Sequence, residues 1–157
     1  MTVTRTSPAR RTGGDKLTPL ELGAWREFLR AHAVLTRELD EELRRAHGLP
    51  LSSYDVLVNL ESAADRQMRM SELADAVLLS RSGLTRLVDR LVALGYVRRN
   101  ACADDGRGSY AELTAAGREK FEAARRTHLQ GVREFFLDRL TQDDQRALGE
   151  TWDRVLG

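Results

Sequence analysis

Ser80-Arg81-Ser82-Gly83-Leu84-Thr85-Arg86-Leu87-Val88-Asp89-Arg90-Leu91 is the stretch that decides the fold. At about 100° per residue, Leu84, Leu87, Val88 and Leu91 gather on one side, joined by Val92 and Leu94. Ser82, Thr85, Arg86, Asp89 and Arg90 gather opposite. Amphipathicity alone describes any half-buried helix. The order along the polar side says more: Ser80, Arg81, Ser82, Thr85 and Arg86 are hydroxyls and guanidiniums, with no acid before Asp89. A helix that points its N-terminus into a DNA major groove needs donors there, and its dipole favours phosphate.

Upstream of this helix, Ser71 reads as the cap of a short helix over residues 72–78, with Leu73, Ala74 and Val77 as its apolar face. Leu79-Ser80 forms a tight joint, and Gly95 closes the second helix. The period then changes. Residues 96–102 and 109–113 read as strands around a turn-rich tip at 103–108. Two short helices, a tight joint and a β-hairpin make a winged helix-turn-helix. At the hairpin tip Arg107 lies between Gly106 and Gly108, two residues after Asp105. Small flanks let the backbone approach DNA, and one guanidinium fits a narrow minor groove. Asp-Gly and Gly-Ser steps also serve any surface turn, so the preceding helix carries the argument.

Longer helices flank this unit. Thr18 as N-cap, Pro19 at the first helical position and Glu21 as capping-box partner begin a helix with Trp25, Phe28, Leu29, Leu35, Leu39 and Leu43 on one face. Gly48 and Pro50 end it after about 28 residues, or about 42 Å. That is too long for one small domain to bury, so a partner is implied. Ser52 reads as the cap of a helix to residue 63, with Tyr54, Val56, Leu57 and Leu60 inward and Asp55 at the third helical position. Met68-Arg69-Met70 is a short extended piece at most. Thr114 caps a helix to about residue 139. Thr141 and Asp144 cap a last one carrying Leu148, Trp152, Val155 and Leu156.

The fold expected is therefore mainly α: a winged helix-turn-helix lobe (49–113) with a helical dimerisation region built from the N- and C-terminal helices (17–48 and 114–157). Residues 1–16, with Arg5, Arg10 and Arg11, read as a disordered basic tail. The 157 residues carry a net charge of +1, but the charge is uneven. Between residues 66 and 110 stand eight arginines and five acids. Arginine suits phosphates and guanine edges, although the whole chain prefers it to lysine, so position decides. A single cysteine makes no intrachain disulfide, no apolar leader opens the chain, and the longest uncharged run is 46–54. These features predict a cytoplasmic protein with no membrane span. Aromatics at 6% leave little for stacking on single strands.

Ser71-Glu-Leu-Ala, the run from Ser80 to Leu91, Gly95-Tyr-Val-Arg-Arg, and Asp105-Gly-Arg107 followed after five residues by Leu113-Thr114 resemble the MarR family of bacterial transcriptional regulators. The likeness covers about residues 17–156. It implies a homodimer with interlocked terminal helices, in which Trp25, Phe28, Leu148, Trp152 and Val155 are the expected contacts. It implies double-stranded DNA with a palindromic operator as partner, and repression as the role. Its recognition helix falls on residues 80–94, with contacts from Ser80, Arg81, Ser82, Thr85 and Arg86 and a wing-tip arginine at Arg107. Asp89, with Asp105 nearby, resembles the acid that orients that arginine; Asp89 could equally pair along its own helix with Arg86 or Arg90.

Many members of that family release DNA when a small aromatic or phenolic acid binds between the dimer helices and the lobe. Trp25, His32, Asp55 and Arg90 are the candidates here, against plainer roles as packing, cap and solvated charge. Cys102, after Arg98 and Arg99, offers redox sensing as an alternative. His32, His47 and His128 are scattered without metal-ligand spacing, so no metal or cofactor is expected. Nor is there a nucleophile elbow or phosphate-binding glycine loop, which argues against an enzyme. A winged-helix protein-interaction module is the remaining alternative. It predicts an apolar or acidic outer face on the second helix, unlike the one present.

Overall fold

The computed structural model describes residues 16–101 and 108–157. The basic tail up to residue 15, and the expectations attached to Cys102, Asp105 and Arg107, lie outside them. The elements are α1 (Pro19–His47), α2 (Leu51–Ser62), β1 (Gln67–Arg69), α3 (Met70–Ala76), α4 (Arg81–Ala93), β2 (Val97–Ala101), β3 (Ser109–Leu113), α5 (Ala115–Phe135) and α6 (Gln142–Leu156). Helix dominates, with one small antiparallel sheet ordered β1-β3-β2. The chain divides into two units, 1–34 and 35–157, and α1 runs through the boundary.

In the first unit the helix start is built as its sequence predicts. Thr18 N–H donates to Glu21 Oε2 at 2.8 Å, and Glu21 N–H donates back to Thr18 Oγ1 at 3.3 Å. Trp25 and Phe28 lie one turn apart with ring centroids 5.9 Å apart. Both are exposed, as are Leu20, Leu29 and Val34.

In the second unit α1 enters the core at Leu43 and ends at Gly48, whose φ of 61° suits the left-handed C-terminal turn. The core then gathers Tyr54, Val56, Leu57 and Leu60 from α2, Leu73 and Ala74 from α3, and Leu84, Leu87, Val88 and Leu91 from α4. Val97, Ala111 and Leu113 of the sheet and Phe121 and Ala124 of α5 close it. At about 1.5–3 kcal/mol per buried aliphatic side chain, the four α4 residues hold that helix to the lobe. Thr114 caps α5 by accepting from Gly117 N–H at 3.0 Å, and its hydroxyl donates to Gly95 O at 2.7 Å. The end of α4, the start of β2 and the start of α5 are thereby tied together.

Several expectations are corrected. Helix α2 starts at Leu51 behind Pro50, so Ser52 is not its cap. Leu51 N–H instead donates to Asp40 Oδ1 of α1 at 2.8 Å. Asp55 consequently sits two positions further in and makes no capping box; its backbone carbonyl accepts from Asn59 Nδ2. Helix α3 starts at Met70, with Ser71 inside it and Arg69 N–H directed at Glu72 Oε2. The short extended piece is a true strand, since β1 pairs with β3 through Gln67–Glu112, Met68–Ala111 and Arg69–Tyr110. Val92 and Leu94 are exposed rather than packed. Helix α5 ends at Phe135, and a 3-10 turn at Leu137–Arg139 follows.

Candidate nucleic-acid interface

Helix α4 begins as its sequence requires. Ser80 is its N-cap, and Ser80 Oγ accepts from Gly83 N–H at 3.1 Å. With Leu84, Leu87, Val88 and Leu91 buried, the opposite face turns Ser80, Arg81, Ser82, Thr85, Arg86, Asp89 and Arg90 outward, all exposed. The Ser80 and Ser82 hydroxyls lie 3.3 Å apart. Arg81, Arg86 and Arg90 make no ion pair among the described residues, so three guanidiniums remain available to an external anion. The exposed N-terminal turns of α4 thus carry only donors and amphoteric hydroxyls, at the positive end of the helix dipole.

Beside this face, an open cleft of about 370 Å³ is lined by Arg69, Ser71, Arg81, Thr85 and Ser109 among others. Arg69 also stacks over the Tyr110 ring at 5.4 Å. On the sheet, Glu112 accepts from Arg98 Nη2 at 2.7 Å and from Asn100 Nδ2 at 2.6 Å. The Arg98 bond, reinforced by Asn100, holds the Glu112 carboxyl below its ordinary range.

Asp89 does not pair along its own helix, and its expected contact with Arg107 lies outside the described residues. Its Oδ1 lies 3.2 Å from Arg99 Nη2 on β2, and its partner is neither Arg86 nor Arg90. Arg99 was missed as a site residue. Its signal was strand parity, because it lies two residues from Val97 and therefore on the same face of the sheet.

The four effector candidates divide between the two units. Trp25 and His32 belong to the first unit, Asp55 and Arg90 to the second. None of the four lines the cleft beside α4. Asp55 is exposed at its surface yet crowded enough that burial pushes its carboxyl up. Of the expected dimer contacts, Trp25, Phe28 and Val155 are exposed, Leu148 and Trp152 half-buried, and α6 buries no residue at all. Among the described residues no group of three or more potential metal ligands occurs, and no helix is long and apolar enough to cross a membrane.

Comparison with known proteins decides the kinship. Residues 47–108 match the MarR family. The chain is similar to Sco3205 of Streptomyces coelicolor, a MarR family transcriptional regulator solved in complex with DNA. Identity is 38%, the TM-score is 0.85, and the match covers 91% of this chain and 90% of that one. The chain belongs to the MarR family. AbsC, a MarR family regulator from the same organism, is 34% identical with a TM-score of 0.84, over 91% of this chain and 96% of its own. The Escherichia coli HTH-type transcriptional regulator PrsX is 29% identical over 124 residues, 79% of this chain. The match spans only 64% of PrsX's own length. MarR kinship agrees with the winged helix-turn-helix of the described residues, in which α3 and α4 are the helix pair and β2 and β3 the wing strands. The relatives are transcriptional regulators, not enzymes.

Proposed function

We propose that this chain is a homodimeric, sequence-specific DNA-binding repressor of transcription. The observation that carries the proposal is the acid-free, solvent-exposed row of Ser80, Arg81, Ser82, Thr85 and Arg86 on the first turns of α4. Arg86 is placed to read a base edge, with Ser80, Arg81, Ser82 and Thr85 fixing register on phosphates and neighbouring bases. The DNA-bound form of Sco3205 supports this use of the fold. Arg107 takes the flanking minor groove in this scheme. The helices at 17–48 and 114–157 join two copies, so that two recognition helices enter successive major grooves of a palindrome about one turn apart.

Release by a small aromatic acid belongs to the same proposal. The cleft beside α4 falls in the size range of small-ligand sites, and Arg69 and Arg81 suit a carboxylate. That location is preferred to one built on Trp25, His32, Asp55 and Arg90, because a ligand there competes directly with DNA for Arg81 and Thr85.

The deciding experiment selects random duplexes with purified protein at two salt concentrations. A palindrome with half-sites about one turn apart is the expected result. Salt-sensitive background without enrichment would leave a nonspecific binder or a protein-interaction module. On the selected site, Arg86→Ala should cost about 1–3 kcal/mol and relax preference at one base pair per half-site. An equal loss on every sequence would reduce Arg86 to a phosphate contact.

A further inference from the structure

We infer that Arg99 is the positioning residue that sets the recognition helix against the wing, acting through Asp89 and the Thr85 carbonyl. The inference rests on the DNA-binding proposal above and adds a residue to it. Strand β2 alternates: Val97 is buried, and Arg98 points to the other face, where it meets Glu112. Arg99 returns to the face of Val97, opposite buried Ala111. It therefore leaves the sheet towards the core side, at the edge where the core ends and α4 begins. Its side chain is 34% exposed, against 65% for Arg98.

From there one guanidinium nitrogen reaches two points on α4. Arg99 Nη2 is 3.2 Å from Asp89 Oδ1 and 3.5 Å from the Thr85 carbonyl oxygen. Thr85 and Asp89 are one helical turn apart, so the contact spans the turn that carries Thr85 and Arg86. A side chain gripping two points one turn apart resists rotation of the helix about its axis. Such rotation would swing Arg86 along the groove. The same contact neutralises Asp89, the first acid on α4, which would otherwise face phosphates.

An ion pair this exposed adds little to folding stability. Its effect belongs in discrimination between sequences, because base readout depends on placement whereas phosphate attraction tolerates small rotations. Arg99 itself stays off the DNA, being turned towards Asp89.

The test measures affinity for the selected operator and for a random duplex across a salt series, using wild type, Arg99→Gln, Asp89→Asn, Arg99→Lys and the Arg99→Gln/Asp89→Asn double variant. Urea midpoints check the fold of each. Arg99→Gln should lower the operator-to-random ratio about tenfold with an unchanged salt slope. Asp89→Asn should lower the ratio as well, although removing an acid strengthens attraction to any DNA. The double variant should be no worse than the poorer single one, and Arg99→Lys should recover part of the ratio. A salt slope smaller by about 0.9 in Arg99→Gln would make Arg99 a phosphate contact and overturn the inference. So would an unchanged ratio in both single variants, or a higher ratio in Asp89→Asn. A wild-type protein that fails to distinguish operator from random duplex would instead strike down the DNA-binding proposal.

Discussion

Gly117 shows how one residue can carry a junction. A Cβ built there would stand 2.0 Å from the Tyr96 carbonyl oxygen and 2.8 Å from Leu113 Cδ1. The backbone of α5 therefore touches the start of the wing at a point where only glycine fits. Gly117→Ala must push helix and strand apart, and should cost about 1–3 kcal/mol, read as a lower urea midpoint. His128 is the second residue with a measurable consequence. It packs on the Tyr54 ring at 4.5 Å, its Nδ1 is buried without a hydrogen-bond partner among the described residues, and burial lowers its pKa. Because the unfolded chain holds the proton more tightly, this group's stabilising contribution is complete above its ordinary value of 6.5. It is lost as pH falls from there towards the folded-state pKa. Urea midpoints should drop as pH falls below the ordinary histidine value of 6.5, and His128→Gln should flatten that drop. Asp55, whose carboxyl burial pushes above its ordinary 3.8, acts in the opposite direction.

At the scale of elements, legibility followed the range of the determining contact. The caps at Thr18, Thr114 and Thr141 were readable because donor and acceptor stand three residues apart, a spacing that Ser80 shares although it reads only as a joint. The start of α2 was misread because its first free N–H is satisfied from outside the helix, by Asp40 on α1. Desolvation raises the Asp40 carboxyl, but bonds from Arg44 and Leu51 outweigh it and leave the group below its ordinary value. Asp40→Ala should therefore destabilise the second unit by about 1 kcal/mol, and Asp40→Asn by less, since an acceptor oxygen remains. Equal midpoints for wild type and Asp40→Ala would mean that water replaces the cap. Strand β1 was only half legible for the same reason: three residues show no alternation, and pairing with β3 makes them a strand. On α4 the period was clear at Leu84, Leu87, Val88 and Leu91. It was overextended at Val92 and Leu94, which fall at the two margins of the apolar arc and are exposed.

At the scale of the molecule, the unsatisfied surface lies on the terminal helices. In α6 no residue is buried although Leu148, Trp152 and Val155 follow helical spacing, and exposed Trp25, Phe28 and Leu29 do the same on α1. Apolar stripes of this kind mark interaction surfaces, which a second copy would cover in the proposed dimer. Leu148→Asp or Trp152→Asp should yield monomers in sedimentation velocity that no longer bind a palindromic duplex. A variant that remains dimeric would place the interface elsewhere.

The sequence by itself determined the helices, the caps at Thr18, Thr114 and Thr141, the donor-rich face of α4 and the kinship, because these depend on neighbours three or four positions away and on residue type at fixed spacing. Only the tertiary structure decided that Asp40 caps α2, that β1 joins the sheet, that Gly117 must be glycine and that Asp89 is held by Arg99. Each of these pairs groups distant along the chain, and their meeting depends on how the core packs, which no local periodicity encodes.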